Sequence, residues 1–196
     1  MRTTHRLVCL LIVLLTVSVP AISQTISQST VQITEQTGAE VGVVENNLNT
    51  PQLVGKARLK FMFWKVFDAA LYSETGQYDS KAPFALELTY LRSFKREKIV
   101  DKTMEEIRRL TSASISAGQL KDWRQQLNNM IPDVKIGMSI IGIRTSEGYT
   151  DIYAGDILKG SIEDEDFTDA FFAIWLGEDT AKPEFRAKLT GLEKAS

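Results

Sequence analysis

Between Ala57 and Phe67 the chain alternates. Ala57, Leu59, Phe61, Phe63, Lys65 and Phe67 fall on one side, and Arg58, Lys60, Met62, Trp64 and Val66 on the other. A period of two with four aromatic rings predicts a β-strand. Large apolar groups on both sides imply a central strand covered on both faces, within a segment running from Leu53 to Tyr72. Arg58 enters the face that also carries Met62 and Trp64. A guanidinium taken out of water needs a partner. Residue type alone leaves open a protein carboxylate or the anionic end of a ligand.

The remaining pattern predicts a run of strands and then helices. Val41–Leu48 reads weakly as an N-terminal strand ended by Asn46, Asn47 and Asn49. Ser73–Ala82 is a loop by composition, and Phe84–Leu91 alternates again and should pair with the strand before it. Over Lys95–Leu110 the period changes: Ile99, Thr103, Ile107 and Leu110, widened by Val100 and Met104, make one helical stripe. Ser116 is a candidate N-cap for a second helix, Ala117–Met130, with Leu120, Trp123, Leu127 and Met130 inward. Val134–Thr145 and Tyr149–Ala154 form a hairpin through Ser146-Glu147-Gly148, followed by a short strand at Ile157–Ile162. Asp164–Asp166 should cap a largely apolar helix, Phe167–Leu176, stopped by Gly177. Thr180 is expected to cap a last helix, Pro183–Leu192. This order predicts an α+β fold, an antiparallel sheet covered by helices.

The first residues change the picture of where the protein works. Arg2 and Arg6 precede an apolar run, Leu7–Val19, and Pro20-Ala21-Ile22-Ser23 supplies the small residues of a cleavage site. Residues 1–23 therefore read as a secretory signal peptide, too short in its apolar run for a bilayer span of about 20 residues. The expectation is an exported protein, periplasmic or secreted, cleaved near Ser23 and left without a stable membrane span. Residues 24–51 are then a flexible lead-in with the N-terminal strand, and 52–192 one domain.

The leader also holds the only His and the only Cys, His5 and Cys9. The mature chain is thus predicted to lack disulfides, Cys/His zinc sites, Ser-His-Asp triads and Cys-His pairs. Of the 23 basic residues 21 remain against 25 acidic ones, a formal charge near −4, which gives no electrostatic case for nucleic acid. Asp151 on its hairpin and the Asp164-Glu165-Asp166 cluster read as solvated surface and helix N-terminal charge, so no metal site is expected. Nothing in the pattern fixes an oligomeric state.

The stretch GKARLKF…WKVFDAALY resembles the core signature of the chalcone isomerase-like superfamily, a Gly-x-x-Arg strand running into Ala-x-Leu-Tyr. EDEDFTDAFFAIWLGEDTAKPEFRAKLTGL, Glu163–Leu192, resembles the C-terminal helical region of the same family. Together the two cover roughly Gln52–Leu192. The resemblance implies an antiparallel sheet covered by helices, an open-faced β-sandwich. In the enzyme branch it implies ring closure of an enone, assisted by an Arg, a Lys and hydroxyls from Thr and Tyr, with no cofactor. Arg58, Thr168 and, more loosely, Lys102 match the catalytic positions. Phe67 stands where a Thr is expected and Lys98 or Ile99 where a Tyr is expected, so the main hydroxyl donors are missing.

A second branch binds fatty acids and grips the carboxylate with the same Arg and a nearby Tyr. On that resemblance the candidate ligand-binding residues are Arg58, Met62, Trp64, Tyr72, Tyr90, Thr168, Phe171 and Trp175, with Phe172 as further lining and Tyr153 as another phenol. Three functions remain open. The leading one is a non-catalytic exported binder of a small anionic apolar ligand. The alternatives are an intramolecular lyase or isomerase acting on an enone, and an interaction or scaffold protein.

Overall fold

The structure, a computed structural model, describes residues 42–111 and 115–192. The expected leader, the polar lead-in at Thr25–Thr34 and part of the Ser112–Ser116 connector lie outside the described residues. After α1 (residues 42–47) the elements run β1 (Gln52–Phe61), β2 (Trp64–Ser73), β3 (Phe84–Tyr90), α2 (Arg96–Thr111), α3 (Ala117–Met130), β4 (Ser139–Arg144), β5 (Thr150–Ala154), β6 (Ile157–Ile162), α4 (Glu165–Leu176) and α5 (Pro183–Leu189). The six strands form one antiparallel sheet in chain order, so each strand pairs with its sequence neighbour. This is the α+β architecture expected from strand runs followed by helix runs.

Three expectations are corrected. The alternating stretch is a hairpin rather than one strand: β1 turns back through Met62 and Phe63, with Phe61 paired to Trp64. Met62 carries the turn at φ 53°, in the left-handed region. β1 is therefore an edge strand, and Phe61, Met62, Phe63 and Trp64 are exposed. The weak strand at Val41–Leu48 is helical over residues 42–47. Its Val43, Val44 and Leu48 are buried against Ala85, Ile141 and Ile143 on one face of the sheet; positions i, i+1 and i+5 share a helix face, which the short apolar run concealed. Finally, the last helix ends at Leu189, and its N-cap is Lys182 rather than Thr180. Thr180 Oγ1 instead donates to the Ile174 carbonyl and accepts from Lys182 N, bridging α4 to α5.

The main core lies between the other face of the sheet and α2–α5. Phe67, Leu71, Phe84 and Leu86 from the strands meet Met104, Ile107, Trp123, Leu127 and Phe167 from the helices. Each such side chain contributes about 1.5–3 kcal/mol of burial. Polar groups fix the helix ends. Ser116 and Gln119 form a capping box at the start of α3. Asp164 caps α4 by accepting from Phe167 N at 3.2 Å, and its second oxygen accepts from Trp123 Nε1 at 2.8 Å. One carboxylate therefore sets the entry of α4 and ties it to α3. At the opposite end, α5 approaches β1 so closely that a Cβ on Gly55 would lie 2.3 Å from the Lys188 carbonyl oxygen. Only glycine permits that contact.

Candidate functional site

At the open end of this core the sheet and helices do not close. Leu59, Val66, Phe67 and Tyr90 from β1–β3 form a floor, and Phe94, Ile99, Ile174, Trp175 and Phe185 form the walls of a cavity of about 240 Å³. Phe67 holds the floor in place by edge-to-face contacts with Tyr90 and Phe185, centroids 5.9 and 6.1 Å away, and Tyr90 meets Phe94 in the same way at 5.9 Å. The Tyr90 ring is 6% exposed. Burial drives its phenol pKa far above the ordinary value, so it remains a protonated donor across the physiological range. Among the described residues no hydrogen bond occupies that hydroxyl.

Cations border the cavity. Lys98 and Lys102 come from successive turns of α2, and Lys182 from the segment before α5. Lys102 is held by Glu105 at 2.8 Å and Glu106 at 2.9 Å, and these hydrogen bonds raise its pKa. Burial alone would push Glu106 up, but hydrogen bonds from Lys102 and Arg109 outweigh it and hold the carboxyl below its usual range. Lys98 and Lys182 make no ion pair among the described residues. The arrangement is an apolar cleft that also carries Tyr90, Thr103 and Thr180, with Lys98, Lys102 and Lys182 on its border beside one acid, Glu106.

The residues singled out from the sequence divide between the two sides of the sheet. Tyr90, Trp175 and Lys102 line the cavity. Arg58 is on the opposite face, where Nε and Nη2 donate to the two oxygens of Asp68 at 2.5 and 2.7 Å. Met62 and Trp64 do not form the apolar wall expected beside Arg58, because the turn at Met62 carries both out to solvent. Tyr72 also lies on the far face, packed with Val43, Val44 and Ile141, and Tyr153 donates to Asn47 there. Thr168 is buried, bonded to Thr150 Oγ1 at 2.8 Å and to the Asp164 carbonyl at 3.1 Å. Phe171 stacks on Phe167, and Phe172 packs against Phe84 in the core.

Phe94, Phe185, Leu59 and Lys182 line the cavity without having been singled out by pattern. Their signal was positional: Phe67, Lys98, Ile99 and Lys102, four of the positions matched to the family's catalytic side chains, border it, whereas Arg58 and Thr168 do not. A wider depression of about 840 Å³ opens on the Arg58 face; Arg58 and Tyr72 line it with Val44, Ala69 and Ala70, and Lys60, Lys65 and Glu87 add charge.

A model of chalcone isomerase-like proteins matches residues 29–191. The chain belongs to the chalcone isomerase-like family. Among solved structures, the fatty-acid binding protein of Arabidopsis thaliana is similar at 9% identity with a TM-score of 0.56, over 72% of this chain and 87% of that one. At that identity the likeness shows a shared fold. A search of curated proteins finds no match. No helix among the described residues of this chalcone isomerase-like protein is long and apolar enough to cross a membrane.

Proposed function

We propose that this member of the family is an exported, non-catalytic carrier or sensor of a small apolar carboxylic acid. The cavity between sheet and helices would hold the chain, and the lysines at its edge would face the carboxylate. The observation that carries the reading is the combination of an aromatic-walled cleft with Lys98, Lys102 and Lys182 on its border. Ligand sites pair a mostly apolar lining with a few placed polar groups in this way. The volume of about 240 Å³ falls just below the usual range of about 300–1,000 Å³, which favours a short or medium chain. The similar Arabidopsis protein is named for fatty-acid binding, which supports the ligand class. Export rests on the leader sequence, and N-terminal sequencing of the exported protein should begin near Gln24.

Titration with decanoate and with decanol tests the reading. Decanoate is expected to bind and raise the melting temperature, with decanol weaker. Lys98→Glu should weaken decanoate binding about tenfold, the equivalent of 1.4 kcal/mol, and spare decanol. Ile99→Trp, which fills the cleft, should abolish both. Binding that survives Ile99→Trp, or an acid series that never stabilises the protein, would sink the proposal.

A further inference from the structure

The tip of the β1–β2 hairpin has no role in the cavity or the core. Phe61, Met62, Phe63 and Trp64 are consecutive and are 63, 75, 94 and 56% exposed. Large apolar residues grouped in this way on a monomer mark an interaction surface. The turn holds them outward at a conformational cost, since Met62 takes φ 53° at a turn position where glycine is usual.

The charge around the tip has one sign. Lys60 and Lys65 are direct cross-strand partners one step behind it. Like charges directly opposite each other weaken a strand pair. Arg92 lies over the Trp64 ring, 4.3 Å from its centroid. From Leu53 to Phe67 there is no carboxylate, in a chain with more acidic than basic residues. A juxtaposition of two lysines at an apolar tip is relieved when a negatively charged surface approaches.

We propose that this hairpin docks the protein on an anionic lipid bilayer. The four apolar side chains enter the interfacial layer, and Lys60, Lys65 and Arg92 meet the lipid phosphates. Trp64 under a guanidinium suits that boundary, where an aromatic ring and a cation are both solvated favourably. A convex two-residue turn offers too little area for a stable protein interface, which needs about 800 Å² per partner. A bilayer demands no complementary shape. Leu59 and Val66, further along the same strands, line the apolar cavity. Docking thus brings one edge of the cleft to the membrane, so that an acyl ligand could enter from lipid; this last step rests on the proposed function, whereas the docking itself does not.

Flotation of the protein, in the form its cell accumulates, tests the docking. Phosphatidylcholine vesicles with a quarter phosphatidylglycerol should carry it up, and phosphatidylcholine alone at least tenfold less. Lys60→Glu with Lys65→Glu should remove the difference, and Met62→Gly with Phe63→Ser should reduce flotation at least tenfold with no fall in melting temperature. Brominated lipid should quench the wild type, and Trp64→Phe should eliminate the quenching while Trp123 and Trp175 still emit. Decanoate binding retained by the hairpin variants keeps this result separate from the fate of the cavity. Equal flotation of wild type and hairpin variants, or none on either vesicle, would overturn the proposal. So would a dimer that Phe63→Ser dissociates, which would assign the tip to a second copy of the chain.

Discussion

Arg58 and Asp68 face each other across the β1–β2 hairpin, their side chains joined at two points on the sheet face that looks away from α2–α5. The charge that sequence resemblance offers as a ligand anchor is thus already engaged by a neighbour ten positions along the chain. With side chains 43% and 40% exposed, the pair is solvated, and such pairs contribute little. Arg58→Ala is expected to lower the melting temperature by no more than about 2–4 °C and to leave decanoate affinity unchanged. A calorimetric double-mutant cycle with Asp68→Ala checks it; a loss of ligand affinity in Arg58→Ala alone would return this residue to the binding site.

Ring closure of chalcone should proceed at the spontaneous rate. Phe67 forms the cavity floor where the enzyme branch is expected to place a hydroxyl, and Ile99 and Lys98 border it where a phenol is expected. An enolate oxygen would lack the hydroxyls expected at those two positions. Absorbance assays with and without protein decide this. Acceleration of a hundredfold or more, lost in Lys98→Ala, would make the protein an enzyme.

Gly55→Ala should cost about 1–3 kcal/mol, the usual range for overpacking. Its Cβ meets the main-chain oxygens of Lys188 and Leu189 at 2.3 and 2.6 Å, and backbone cannot rotate away as a side chain can. Relief requires α5 to lift from β1, which would also move Phe185 on the cavity wall. Thermal melts and decanoate titration should therefore shift together. A full-stability variant would contradict the close approach.

Met62→Gly should stabilise the fold by a few tenths to about 1 kcal/mol. It removes the Cβ penalty of a left-handed residue, partly offset by the greater freedom of glycine in the unfolded chain. Chemical denaturation measures the balance. A destabilised variant would mean that the Met62 side chain makes a contact worth more than its strain.

Acid should weaken the α2 end of the cavity through Glu106. Its folded-state pKa is depressed, so its contribution is fully present above the unfolded value near 4 and is lost as pH falls through the folded one. Glu106→Gln should flatten the stability profile in that window and free Lys102. Melting curves from pH 6 to pH 2 on both proteins test the sign; parallel curves would remove Glu106 from the account.

Helices α2, α3 and α4 were legible because their ends and stripes were written in side chains. Ser116 with Gln119 and Asp164 ahead of Phe167 are capping signals that the structure realises. The hairpin turn was not, because Phe61–Trp64 is a continuous apolar run and no Gly, Asn or Pro marks a reversal between Leu59 and Phe67. A strained Met62 makes the turn instead, and that reversal changes which face and which surroundings Arg58, Met62 and Trp64 share. The site was half legible for the same reason. Tyr90, Trp175 and Lys102 lie on elements whose period was read correctly. Phe94 and Lys182 lie in connectors, where periodicity assigns no face. Thr168 shows the limit of residue type: its hydroxyl is consumed by Thr150 and the Asp164 carbonyl.

The strand order has a consequence for how the chain reaches this state. Neighbouring strands in the sheet are neighbours in sequence, so β1–β2–β3 and β4–β5–β6 can each zip up over short loops. The seam between them is different. Thr89 pairs with Ser139, 50 positions further along the chain, only after α2 and α3 have been accommodated between them. Closing that long segment carries the main entropic barrier. The two half-sheets are expected to behave as early units, with their joining as the slow event. Trp123 and Leu127, buried in the inserted helices, are then placed to control the speed of assembly, whereas changes in the outer strand β6 would chiefly hasten its undoing.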